Sequence, residues 1–208
     1  YDILLLADEV LTAFGRIGAR SGSIHYGLEP DLITVAKGMT SAYAPLSAAI
    51  VSEKVWKVLE NGSDKFGVFS HGYTYSAHPL CAAAGVANLA ILEREDLTGN
   101  ARTTGAYLQK RMREAFRGQP FVGEVRGIGL LAAIEFVADP ATKRRVAADE
   151  KVGARLSAAC LEQGLIARAM PHGDILGFAP PLCITPAEVD EIIERVQRAV
   201  RKVSATLT

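Results

Sequence analysis

The stretch "PDLITVAKGMTSAYAPLSA" (Pro30 to Ala48) contains the segment on which the fold turns. Within it, Leu32-Ile33-Thr34-Val35-Ala36 is an apolar run of strand length that stops at Lys37, with Gly38 immediately after. Val, Ile and Thr favour extended backbone, so the run predicts a short buried β-strand. A lysine at its end ordinarily marks the point where the chain reaches water. The other reading is a reactive amine held at a sheet edge, where α/β folds place their ligands. Lys37 alone does not choose between the two.

Upstream, Ile3 to Ala7 is a second continuous apolar run, typical of a strand covered on both faces, and it ends in Asp8-Glu9. If the two strands run parallel, Asp8 and Lys37 emerge at the same edge of one sheet. An acid and an amine placed there serve equally well as a structural ion pair. The loop "LTAFGRIGARSGSIHYG" joins the strands, and Leu46–Val51 is a third strand candidate. "SEKVWKVLE" predicts a short helix capped by Ser52, followed by the loop "NGSDKFGVFSHGYTYSAHP". Helices are expected at about Pro79–Glu93 and Leu97–Phe116, the second cut off by Gly118 and Pro120.

From Gly123 the texture changes. "GEVRGIGLLAAIEFV" predicts one bent strand, with Gly127 and Gly129 relieving the bend. A helix over about Asp149–Gln163 ends at Gly164, and short strands are expected at Leu165–Ala167 and Leu182–Ile184. Thr185, Pro186 and Glu188 spell a capping box opening the last helix. The pattern predicts an α/β portion over residues 1–120 and a smaller α+β portion over residues 121–208.

Bulk properties narrow the function classes. Across 208 residues, 23 basic side chains balance 23 acidic ones, which argues against a nucleic-acid binder. No apolar run reaches membrane-spanning length, and no secretory signal opens the chain. Cys81, Cys160 and Cys183 lack metal-ligand spacing and read as core residues of a reduced, cytoplasmic protein. The four histidines likewise predict no metal site. Gly127-Ile128-Gly129 lacks the rest of a dinucleotide fingerprint. The chain begins with Tyr1, almost directly at a strand, which suggests the C-terminal part of a longer protein.

A third element joins Asp8 and Lys37. "HGYTYSAHP" (His71 to Pro79) gathers hydroxyls and backbone amides just before a helix, a composition that suits a phosphate group. Carboxylate, amine and phosphate-binding loop together match the needs of pyridoxal 5′-phosphate. The amine forms a Schiff base with the aldehyde, and the carboxylate keeps the pyridine nitrogen protonated. Once released, Lys37 moves a proton between the substrate Cα and the cofactor carbon. Gly38 would let the backbone pass close to the group.

At these residues the sequence resembles a known family. "LLLADEVLTAFGRIG", "DLITVAKGMTSAYAPLSAAIVSEKVW", "HGYTYSAHPLCAAAGVANLAILERE", "VRGIGLLAAIEF" and "APPLCITPAEVDEI" are similar to successive blocks of the class III aminotransferases, fold-type I pyridoxal-phosphate enzymes. The resemblance implies part of the cofactor-binding large domain, a mostly parallel sheet with helices, followed by a small C-terminal α+β domain. It implies that Asp8 partners the pyridine nitrogen, Val10 packs on the ring face and Lys37 carries the Schiff base. It implies that Thr74 binds the phosphate in the neighbouring subunit's site, hence a homodimer or higher assembly.

"TSAYAPLSA" and "HGYTYSAHP" are most similar to the ω-transaminase branch, whose members pass an amino group from amines or ω-amino compounds to pyruvate. Arg168 is the candidate partner for a substrate carboxylate, although counting back from Pro180 puts Met170 at that place. Arg16 reads as structural or interface-forming. The family's N-terminal half supplies a second phosphate loop, a ring that stacks on the cofactor and much of the substrate pocket. None of these is among the 208 residues, so exposed apolar surface is expected and the chain alone is expected to be inactive. Other members of this architecture remain open alternatives: ornithine-, acetylornithine- and 4-aminobutyrate-type aminotransferases, an aminomutase, decarboxylases or racemases, and a non-catalytic truncated chain.

Overall fold

The computed structural model describes residues 1–207. By contacts they divide into two compact units, Tyr1–Gly99 and Asn100–Thr208. The sequence pattern puts the division near residue 120. The difference lies in the helix Leu97–Phe116, whose Ala101, Leu108, Met112 and Phe116 are buried in the second unit's core.

The first unit runs β1 (Leu6–Asp8), α1 (Gly22–Tyr26), β2 (Leu32–Val35), β3 (Ala48–Val51), α2 (Glu53–Phe66) and α3 (Pro79–Arg94). β1 pairs with β2 in parallel, and β2 pairs with β3 antiparallel, giving the order β1-β2-β3. Ser52 caps α2 by accepting from the Val55 amide at 3.4 Å. That helix runs on through Asn61-Gly62-Ser63, residues whose composition suggests a loop. The run Ile3–Leu6, expected to be covered on both faces, lies open, with Ile3 at 79% and Leu6 at 55% exposure. β1 is an edge strand of a three-stranded sheet, so one side of it meets no neighbour among the described residues.

The second unit holds α4 (Leu97–Phe116, mostly within it), β4 (Val122–Ile128), β5 (Leu131–Phe136), α5 (Val152–Glu162), β6 (Arg168–Ala169), β7 (Ile175–Phe178) and α6 (Pro186–Ser204). Its sheet is antiparallel, in the order β4-β5-β7-β6. The segment predicted as one bent strand is a hairpin: Gly129, at φ 52°, turns the chain, and Ile128 pairs with Leu131. Leu182–Ile184 forms no strand, since Pro180 and Pro181 cannot donate to a ladder. The second strand of this region is Ile175–Phe178 instead. The capping box forms as read: Thr185 Oγ1 accepts from the Glu188 amide at 3.3 Å, and Glu188 Oε2 accepts from the Thr185 amide at 2.8 Å. All three cysteines are free. Cys81 and Cys160 are buried, whereas Cys183, expected in the core, is exposed. Burial pushes the Cys160 thiol up to about 11, so it stays protonated and inert.

One contact in the second unit sets how closely helix and hairpin approach. A Cβ at Gly105 of α4 would lie 2.5 Å from the Gly129 carbonyl carbon and 2.6 Å from its Cα, and neither backbone atom can yield. Alanine in a helix interior normally gains up to about 1 kcal/mol over glycine. Overpacking of about 1–3 kcal/mol or more outweighs that gain here. Gly105→Ala is therefore expected to lower the unfolding midpoint in denaturant titrations of the full protein. An unchanged or raised midpoint would contradict this packing.

Candidate active site

The site is built where β1 and β2 end. Their parallel register sets Leu6 opposite Leu32, Ala7 opposite Ile33 and Asp8 opposite Thr34. Both strands therefore deliver their C-terminal residues to one sheet edge. Asp8 closes β1, and Lys37 stands two residues beyond the end of β2. Both are exposed. No ion pair joins them or ties either to another residue among those described, which removes the structural ion-pair reading. Asp8 Oδ1 accepts from the Val10 amide at 3.0 Å and from Thr34 Oγ1 at 3.3 Å. Val10 is half-buried at the turn that leaves β1.

Lys37 opens a single 3₁₀ turn, Lys37–Met39, with φ of 32° in the left-handed region. Its carbonyl accepts from the Thr40 and Ala42 amides at 3.3 and 3.0 Å. A residue that sequence reasoning missed holds this turn from behind. Asn88, on α3, donates from Nδ2 to the carbonyls of Gly38 and Met39 at 2.8 and 3.1 Å, and its Oδ1 accepts from Ser41 Oγ at 2.7 Å. The signal was one amide side chain in the alanine-rich run "AAAGVANLA". Gly85, one turn earlier, makes room for Leu46, since a Cβ there would meet Leu46 Cδ2 at 3.0 Å, while Met39 O of the turn stays 3.9 Å away. Gly38 is needed for a related reason. A Cβ on it would lie 3.1 Å from Phe14 Cβ, so it makes room for the loop after β1.

That loop is fastened by Glu9, a second residue whose part was not foreseen. Glu9 is 3% exposed. Its carboxylate accepts from Gly22 N at 2.8 Å, Ser23 N at 2.5 Å and Ser23 Oγ at 2.6 Å, and also from Thr12 Oγ1. Burial pushes its carboxyl up, but these bonds outweigh burial and hold it below its ordinary value of 4.5. Arg16 lies half-buried within the same loop.

Thr74 sits in the turn Thr74–Ala77, on a segment exposed throughout from residue 64 to residue 80. Tyr73 and Ser76 close this turn with Tyr73 N to Ser76 Oγ and Ser76 N to Tyr73 O, both at 2.9 Å. His78 caps α3, its Nδ1 accepting from the Leu80 amide at 3.3 Å, so it belongs to the scaffold. Arg168 lies in the second unit on β6, exposed and opposite Gly177 of β7; Met170 follows, its amide bonded to the Ile175 carbonyl at 2.9 Å. No cluster of metal-ligating side chains occurs among the described residues, and none of their helices is long and apolar enough to cross a membrane.

The family model for Aminotransferase class-III matches residues 1–200. The chain is 62% identical, over 208 residues, to a diaminobutyrate–2-oxoglutarate transaminase of Halomonas elongata, covering all of this chain and 44% of that protein. It is 41% identical to a putrescine–pyruvate aminotransferase of Pseudomonas aeruginosa, again over all of this chain and 44% of the relative. Among solved structures, the ω-transaminase of Pseudomonas jessenii in complex with PMP superposes with a TM-score of 0.94 at 37% identity, covering 100% of this chain and 45% of that one. The chain thus spans a little under half the length of these relatives.

Glu9 gives the site a pH signature. Because its folded pKa is depressed, its stabilising contribution is complete above 4.5 and is lost as pH falls through the lowered value. Glu9→Gln should cost about 1–3 kcal/mol at neutral pH, since a buried donor loses its partner. Parent and variant stabilities should converge as the medium is acidified. Denaturant unfolding of both proteins across that range would show it, and parallel curves would count against this role.

Proposed function

This chain belongs to the class III aminotransferases, and we propose on that premise that its parent protein is a pyridoxal-phosphate-dependent transaminase with Lys37 at its centre. The observation that carries the reading is the shared edge of β1 and β2, where an unpaired amine and an exposed carboxylate stand on neighbouring strand ends. The donor set fits pyridoxal phosphate. Lys37 supplies a primary amine for the aldehyde, and Asp8 retains an oxygen, Oδ2, with no protein donor among the described residues. When bound, the group withdraws electrons from the substrate Cα.

The protein's own residues do the rest. Asp8 would accept the ring N–H and keep that nitrogen protonated, and Val10 would pack against the ring face. Lys37 takes the proton from Cα as a base and returns it as an acid, a role that typically contributes about 10²–10⁴-fold. We assign Thr74 to the phosphate in the site of a second subunit, which makes a homodimer the smallest working unit. The exposed segment around Thr74, with Phe69 at 65% and Tyr75 at 79%, supports this by offering apolar surface to a partner. Residues 1–120 would then be part of the cofactor-binding domain and residues 121–208 the small domain. The three free thiols suit a cytoplasmic enzyme.

For substrates, the ω-transaminase reading takes an amine or ω-amino acid as donor and a 2-oxo acid such as pyruvate as acceptor, with Arg168 for a substrate carboxylate. Similarity to the putrescine–pyruvate enzyme supports pyruvate, whereas the higher identity to the diaminobutyrate enzyme supports 2-oxoglutarate. A second carboxylate on the acceptor needs a second cation, so turnover of the full protein with pyruvate and with 2-oxoglutarate, compared directly, separates the two acceptors. By themselves, the 208 residues are proposed to be inactive.

Borohydride reduction of the full natural protein with pyridoxal phosphate, then digestion and mass spectrometry, is expected to place a pyridoxyl group on Lys37. Lys37→Ala should lose the adduct and roughly 10²–10⁴-fold of turnover. No adduct on the folded parent protein with the cofactor in excess would overturn the reading.

A further inference from the structure

Both hydrogen bonds that Asp8 receives fall on one oxygen. The Val10 amide and the Thr34 hydroxyl each donate to Oδ1, at 3.0 and 3.3 Å, and Oδ2 takes no donor among the described residues. The Val10 bond is local, two residues along the chain, and it turns with the segment that carries it. The Thr34 bond is different in kind. It crosses from β2 to β1 between residues held opposite each other by the parallel register. Thr34 also fixes the next residue, since its carbonyl accepts the Glu9 amide at 2.9 Å. One threonine thus grips two consecutive residues at the end of the neighbouring strand, by hydroxyl and by carbonyl.

From this geometry we propose that Thr34 is a positioning residue for the cofactor. It sets the rotation of the Asp8 carboxylate, so that Oδ1 is committed to the fold and Oδ2 is presented to the ring nitrogen. The inference rests on the reading that Asp8 receives that nitrogen. A hydroxyl has a single hydrogen to donate, and here it points at the carboxylate, so the bond is directional. With the cross-strand hydroxyl added to the local amide, the carboxylate is held against the neighbouring strand as well as its own turn. Anchored by the local amide alone, it is free to rock with the turn. Threonine at this place is therefore chosen for its oxygen as well as for its β-branched shape.

The two roles of the side chain are separable by substitution. Thr34→Val keeps the branching and volume that a strand wants and removes the hydroxyl. Thr34→Ser keeps the hydroxyl and gives up the branching. In the full natural protein, stripped of cofactor and titrated with pyridoxal phosphate, binding is read from the visible absorption of the bound group without turnover. Thr34→Val should bind roughly three- to tenfold more weakly, as expected for the loss of one long hydrogen bond to a charged group. Its absorption band should shift from the parent's, and Thr34→Ser should restore both values. A strand-only role gives the opposite pattern, with Val matching the parent and Ser impaired. That pattern, alongside a normal pyridoxyl adduct on Lys37, would overturn the positioning role and leave the cofactor reading standing. A parent protein that shows neither absorption nor adduct would overturn both.

Discussion

The candidate site depends first on the parallel pairing of two short strands. Parallel strands end at the same edge, and here the register places Asp8 beside Thr34, with Lys37 two residues past the end of β2. A one-residue slip would invert every side chain of β1 relative to the sheet and take the Asp8 carboxylate to the other face. Three backbone bonds reinforce the register at its two ends. The Asp31 and Leu32 amides both donate to the Leu5 carbonyl, at 2.8 and 3.1 Å, and the Glu9 amide donates to the Thr34 carbonyl at 2.9 Å. β3 adds an antiparallel partner on the other side of β2. The candidate residues stand at the end of a small ladder, and the ladder is what brings them together.

Around that ladder the division of labour is consistent. The residues that can react, Asp8 and Lys37, are exposed and unpaired by charge. The residues that hold them, Glu9 and Asn88, are satisfied within the protein. Glu9 collects one donor from the loop after β1 and three from the first residues of α1, and Asn88 bonds on both sides of its amide to the turn after β2. Each strand end is thus braced by one polar side chain whose hydrogen bonds are met within the protein. Buried or half-buried polar groups of this kind are costly unless satisfied, and here they are.

The elements legible in the sequence were those fixed by local chemistry. β2 was read from its β-branched run, α6 from its capping box and α4 from its length and its glycine and proline stop signals. The shared edge of Asp8 and Lys37 was legible because strand ends follow from composition, and parallel ends coincide. The hairpin at Gly129 was not legible, since a glycine that relaxes a strand and a glycine that reverses it look alike until the partner residues are known. The braces escaped for a similar reason. Glu9 reads as the neighbour of Asp8, and Asn88 reads as an interruption in an alanine helix. Apart from Thr12, the partners of Glu9 lie 13 and 14 residues away, and those of Asn88 lie 47, 49 and 50 away, distances that only the folded chain closes.

The left-handed backbone at Lys37 has a consequence for how this position evolves. A residue with a Cβ pays roughly 1–2 kcal/mol to hold such a conformation, while glycine holds it freely. On the proposed role of Lys37, the amine would be held there against a pressure from stability alone, which favours glycine. A library selected only for thermal tolerance would drift away from lysine here, and one selected for chemistry would keep it. In such a pair of selections, position 37 would separate fitness for folding from fitness for function.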